Sequence, residues 1–129
     1  MPYGPRRHGW GRGPQGGGFG NIPRFIEPVL LYLLKKLGRA HGYQLAAELP
    51  EHSLTGALVD RGALYRTLRQ LEENGHVTSD WDVSGQGPAK RLYRLTPAGD
   101  TFLRQWTALI EQMVGAMGDF VEKVRELEK

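Results

Sequence analysis

The chain has 129 residues, 40% of them hydrophobic and 24% charged, the balance of a single globular domain with a packable core. It holds no cysteine, which excludes a disulfide scaffold, thiol catalysis and cysteine-based zinc or iron–sulfur centres. The net charge is +3: residues 1–21 carry three arginines and no acid, residues 22–95 ten bases against eight acids, and residues 96–129 four bases against six acids, so the positive excess lies early in the chain and suits a polyanionic partner.

No apolar run approaches the roughly 18 residues of a membrane span, and the N-terminus lacks the apolar stretch of a secretory signal. A cytoplasmic protein with no membrane partner is expected.

Residues 1–21 hold 8 of the 18 glycines and three prolines. Such a segment buries too little apolar surface to offset its ordering entropy and reads as a flexible tail. A second reading has Arg6, Arg7 and Arg12, interleaved with Tyr3 and Trp10, touching nucleic acid.

Order is expected from Ile22. Glu27-Pro28 suits a helix start, since proline is favoured in the first turn and an acid complements that end. Val29, Leu30, Leu33, Leu34 and Leu37 then recur at helical spacing, and Gly38 stops the helix. Phe25 and Ile26 pack either on a partner chain or on this helix. A second helix from His41 to about Leu49 turns Tyr43, Leu45, Ala46 and Leu49 inward and is closed by Pro50. Residues 51–59 form a connector.

A third helix runs from Arg61 to Asn74. Asp60 serves as its N-cap, Leu64, Leu68 and Leu71 form its inner stripe, and Asn74-Gly75 ends it. The period then changes to two. Val77, Ser79 and Trp81 alternate with Thr78, Asp80 and Asp82. Past the loop Ser84-Gly85-Gln86-Gly87-Pro88, Arg91, Tyr93 and Leu95 alternate with Leu92 and Arg94. The two strands make a β-hairpin that must pack on the helices.

Thr96 caps a last helix with Pro97 at its first position. Phe102, Trp106, Leu109, Ile110, Met113, Met117, Phe120, Val121, Val124 and Leu127 follow at steps of three and four. A helix of about 30 residues is ~45 Å long, more than a small domain needs, so its stripe is expected to meet a second chain. Gly115 and Gly118 weaken its interior and allow a bend or a close approach.

Three helices, a hairpin and a long helix in that order give a mainly α fold with a small β-hairpin: a winged helix-turn-helix with a C-terminal dimerisation helix. The expected division is a tail over 1–21, a DNA-binding domain over 22–95 and the dimerisation helix over 96–129. The third helix carries Arg61, Arg66 and Arg69 with Tyr65 beside them, and the hairpin carries Lys90, Arg91 and Arg94, all suited to phosphate or guanine. Two of these have alternatives: Arg69 pairing with Glu72 or Glu73 on its own helix, and Arg94 packing structurally.

Three segments carry a family resemblance: His41-Gly42-Tyr43-Gln44-Leu45, the run Gly62-Ala63-Leu64-Tyr65-Arg66-Thr67-Leu68-Arg69-Gln70-Leu71-Glu72-Glu73-Asn74-Gly75, and the run from Gly87-Pro88-Ala89-Lys90-Arg91 through Thr96-Pro97-Ala98-Gly99. The sequence resembles the PadR family of bacterial transcriptional regulators over residues 24–127. Within it, Phe25-Ile26-Glu27-Pro28, Ser79-Asp80-Trp81-Asp82 and Gly-Pro-Ala-Lys-Arg are similar to the branch of polyhydroxybutyrate-responsive repressors. The resemblance implies that Gly62, Ala63, Tyr65, Arg66 and Arg69 face DNA and that Lys90 and Arg91 lie on the wing. Many members have Ser at position 60 and Thr at position 63. Multidrug-binding members sandwich flat ligands with a tryptophan of the last helix. Trp106 sits one turn earlier, with Ile110 at the corresponding place, so Trp106 and Ile110 are candidates for a ligand pocket beside the commoner reading of Trp106 as packed core or interface.

Enzyme chemistry is not expected. His41, His52 and His76 lack metal spacing, no glycine loop cradles phosphate, and Glu72 and Glu73 point apart on their helix. No cofactor or metal is expected. The reading is a homodimeric, sequence-specific DNA-binding regulator, a repressor on a palindromic double-stranded operator, open to a small-molecule effector. The dimer interface is expected at Phe102, Trp106, Leu109, Ile110, Met113, Met117, Phe120 and Val124. The alternatives are a protein-interaction or granule-associated module on the same scaffold, and a non-specific nucleic-acid binder.

Overall fold

The computed structural model describes residues 25–54 and 60–129. The reading of residues 1–21 as a tail, and most of the connector, lie outside the described residues. The elements run α1 (Ile26–Leu37), β1 (Arg39–His41), α2 (Gly42–Glu48), a 3-10 turn (Leu49–His52), α3 (Arg61–Glu73), β2 (Val77–Asp82), β3 (Lys90–Leu95) and α4 (Pro97–Leu127).

α1 is the hub. It starts from Phe25 in the left-handed region (φ 52°) and ends where the Gly38 N–H, at φ 85°, donates to the Leu34 carbonyl. The helix is buried nearly all round, at Pro28, Val29, Leu30, Leu31, Leu33 and Leu34. Periodicity misassigned two positions: Leu31 is fully buried and Leu37 is exposed. A one-sided stripe cannot describe a helix packed against α2, α3, α4 and the sheet at once.

The sheet has three strands, not two. β1 pairs antiparallel with β3, which pairs antiparallel with β2, giving the order β1-β3-β2. Ala40 of β1 is fully buried opposite Tyr93. Consequently α2 begins at Gly42; it ends at Glu48, and Pro50 lies in the 3-10 turn that follows. Tyr43, expected inside, is exposed, while Leu45 and Leu49 are buried as expected.

α3 is positioned by Leu64, Leu68 and Leu71, all buried against α1 and the sheet. α4 is anchored at its start. Thr96 Oγ1 accepts from the Gly99 N–H at 2.9 Å and donates to the Gly75 carbonyl at 2.7 Å. Lys35 pairs with Asp100, holding that carboxyl below the ordinary carboxylate range. Phe102 stacks on His76 at 4.0 Å, and Phe25 meets Trp106 edge-on at 5.9 Å. Within this chain the Phe25 ring thus meets α4. Phe102 and Trp106, expected at a dimer interface, are half-buried against this chain's own core, where α4 packs on α1. Ile110 and Met113 are half-buried, and Leu109, Met117, Phe120 and Val124 are exposed, as are Val114 and Val121. At ~1.5 Å per residue, the 31 residues of α4 carry its last turns well away from the body. No helix among the described residues is long and apolar enough to cross a membrane.

Candidate nucleic-acid interface

Asp60 fixes the start of α3. Its Oδ1 accepts from the Ala63 N–H at 2.7 Å, satisfying one of the free donors of the first turn. The outer face then presents Arg61, Gly62, Tyr65, Arg66 and Arg69, all exposed. Ala63 is not among them. It is 7% exposed and borders a concavity with Phe25, Ile26 and Trp106, away from the exposed face on which the resemblance placed it.

Among the described residues, Arg61, Arg66 and Arg69 join no ion pair. The alternative pairing of Arg69 with Glu72 does not form, since Glu72 Oε2 accepts from Ser79 Oγ at 2.7 Å and so ties α3 to β2. A Cβ on Gly62 would stand 3.0 Å from Arg66 Nη1 and 3.3 Å from Asp60 Oδ1. The Arg66 guanidinium thus lies close along the first turn, beside the bare glycine.

Gly42 is a residue whose role sequence reasoning missed. A Cβ there would come within 2.5 Å of the Tyr65 ring and hydroxyl. Tyr65 thus lies against the bare backbone at the start of α2, where any side chain would hold the two helices further apart. The only local signal was the small residue itself, because the contact joins positions 23 apart in the chain.

The hairpin cations are not equivalent. Arg94 Nη2 donates to Asp80 Oδ2 at 3.1 Å, an exposed ion pair across the hairpin, so its charge is shared within the sheet. Lys90 and Arg91 join no ion pair among the described residues. Arg91 lies over the Trp81 ring, 4.7 Å from its centre, and Lys90 lies 5.0 Å from the centre of Tyr43. At the wing's base, Asp82 accepts from the Ser84 hydroxyl at 2.6 Å and the Ser84 N–H at 3.0 Å, and it meets His41 Nε2 at 2.8 Å. The two Ser84 bonds, followed by His41, bring the Asp82 carboxyl down to about 2. A charged aspartate therefore pins the wing to the strand that leads into α2.

Trp106 and Ile110 line separate concavities. Trp106 borders one of about 510 Å³ with Phe25, Ile26, Glu27, Ala63, Arg66, Thr67 and Gln70, and its indole N–H meets no acceptor among the described residues. Ile110 borders another with Pro28, Val29, Tyr32, His52, Leu54, Leu103 and Thr107. Among these concavities the two residues do not line the same one.

Residues 30–105 match the model of the transcriptional regulator PadR-like family. A transcriptional regulator of Mycobacterium tuberculosis is 40% identical over 73 residues, covering 57% of this chain and 64% of that protein; the match thus spans a little under two thirds of the relative's length. Among solved structures, a conserved protein of unknown function described as a potential transcriptional factor is 28% identical with a TM-score of 0.69, covering 92% of this chain and 100% of that one. Bacillus subtilis PadR in complex with operator DNA is 26% identical with a TM-score of 0.55, covering 65% of this chain and 47% of that one.

Proposed function

The chain belongs to the PadR-like family of transcriptional regulators, and on that premise we propose that it is a sequence-specific repressor that binds a palindromic operator as a homodimer. The observation that carries this reading is the set of cations left without a carboxylate among the described residues: Arg61, Arg66 and Arg69 on the outer face of α3, Lys90 and Arg91 on the wing. A helix of this width fits the major groove, where arginine can bond guanine O6 and N7, while the hairpin reaches the neighbouring backbone. A relative of the same fold was solved on its operator.

Residues 22–95 form the DNA-binding domain and 96–129 the dimerisation helix in this reading. The exposed Leu109, Met117, Phe120 and Val124 are the surface that a second α4 covers. Twofold symmetry then sets the two α3 helices on half-sites about 34 Å apart, or a multiple of that. A small-molecule effector fits beside Trp106, where one wall of the concavity is Arg66 itself, so that an occupant there bears directly on a DNA-facing side chain. The protein acts where the DNA is, in the cytoplasm.

The test is a competition mobility-shift assay with genomic fragments. Retention of particular fragments against excess bulk DNA supports the reading. Equal displacement by bulk DNA makes the protein a non-specific binder, and no shift at all leaves the interaction-module reading.

A further inference from the structure

Lys90 and Arg91 are consecutive in β3, so their side chains leave opposite faces of the sheet. Each is laid on an aromatic ring from a different element. Arg91 covers Trp81, its register partner in β2, and Lys90 covers Tyr43 at the start of α2. Both rings stand in the open, Trp81 at 61% and Tyr43 at 48% exposure. Neither ring does the packing work that ordinarily accounts for a large aromatic.

The surrounding charges sharpen the point. Asp82 is the register partner of Lys90, yet its oxygens are taken by His41 and Ser84. Asp80, the other acid of β2, is taken by Arg94. The two wing cations are thus left un-neutralised by the carboxylates nearest them and lie on ring faces, which attract a cation without cancelling its charge; Arg91 also reaches the Tyr93 hydroxyl. Tyr43 is itself fixed, stacked on His41 at 5.3 Å and 9°.

Resting on the DNA-binding reading above, we infer that Trp81 and Tyr43 are positioning residues of the wing: they hold Arg91 and Lys90 in the geometry in which these cations meet the DNA backbone. A free arginine or lysine loses several rotatable bonds' worth of freedom when it grips a phosphate, and a side chain already laid on a ring has lost part of it beforehand. The rings act through the cations and not by touching DNA.

The full chain is titrated at several salt concentrations against a duplex that it has itself enriched from a random library. Arg91→Ala weakens binding and lowers the salt slope by about 0.9 per protomer. Trp81→Ala weakens binding by about two- to five-fold, the size of an exposed cation–ring contact, and leaves the slope unchanged because the phosphate contact persists. In the Arg91→Ala background, Trp81→Ala has no further effect. Trp81→Phe keeps most of the affinity, whereas Trp81→Leu loses it. The same pattern holds for Tyr43→Phe and Tyr43→Leu with and without Lys90. Melting temperatures of the variants stay close to the parent's. The inference is overturned if Trp81→Ala costs as much without Arg91 as with it, which would mean that the ring touches DNA or merely supports the hairpin. It is equally overturned if Trp81→Ala changes nothing. A parent chain that binds no duplex defeats the DNA-binding reading itself, and this inference with it.

Discussion

The carbonyl oxygen of His76 occupies the space beside Gly99 so closely that a Cβ on Gly99 would stand 2.0 Å from it. The obstruction is backbone, fixed because the same carbonyl accepts from the Thr96 N–H at 3.1 Å, so no side chain can swing away to relieve it. Gly99→Ala must displace the first turn of α4 and with it Phe102 and Trp106. A loss of about 3 kcal/mol follows, the upper range for overpacking, which in a domain of this size lowers the melting temperature by roughly 10 °C or more. Thermal denaturation followed by circular dichroism reads it, and an unchanged midpoint would show that the helix start is free to shift.

Asp60 separates helix capping from charge. Asp60→Ala removes the bond to the Ala63 N–H and costs about 1 kcal/mol. Asp60→Ser keeps an oxygen at the cap and leaves stability nearly unchanged, while deleting an acid beside Arg61 and Arg66. Its affinity for DNA should rise. Urea denaturation and a DNA titration on both variants check the pair, and a serine variant that is as destabilised as the alanine would refute the capping role.

The wing anchor is pH-dependent with a definite sign. The folded Asp82 carboxyl lies at about 2, below its ordinary 3.8. A depressed carboxyl contributes stability above its unfolded value and loses it as the pH falls through the folded one. Asp82→Asn should therefore be less stable than the parent near neutrality, with the gap closing as the pH drops from 3.8 toward 2. Melting curves across that range decide the matter, and a gap that widens on acidification would contradict it.

The proposed dimer rests on the open half of α4. Phe120→Asp with Val124→Asp places two charges on the exposed apolar face. The double variant should sediment as a folded monomer and lose most operator affinity, since each half-site then binds alone. A dimer of unchanged dissociation constant would put the interface elsewhere.

The sequence was most legible where the physics is local. Asp60 and Thr96 could be read as caps because the donors they satisfy lie three residues on, and the stripe of α3 could be read because one face alone is buried. β1 was not legible. Three residues show no period, and Ala40 becomes a strand residue only through Tyr93, more than fifty positions away. Tyr43 was misplaced for the same reason: its neighbour Lys90 belongs to the wing, so the position beside α2 that looks inward in sequence is roofed by a cation instead of core. Ala63 took its expected role from the resemblance, and it lies buried at the floor of a concavity that Phe25 and Trp106 also border, a contact between residues far apart in the chain. Phe102 and Trp106 fitted the stripe of a helix meeting a partner, and nothing in their spacing says where this chain's own core ends along α4.

α3 and the wing divide the work of binding DNA in the proposed function, and a single titration separates their parts. The enriched duplex and a scrambled duplex of equal length are titrated with the parent, with Arg66→Ala and with Lys90→Ala/Arg91→Ala at several salt concentrations. Arg66→Ala should cost about 1–3 kcal/mol on the enriched duplex and little on the scrambled one. The wing variant should weaken both alike and reduce the salt slope by roughly 2 per protomer. If Arg66→Ala weakens both duplexes equally while the wing variant loses only the enriched one, the wing reads the sequence and α3 does not.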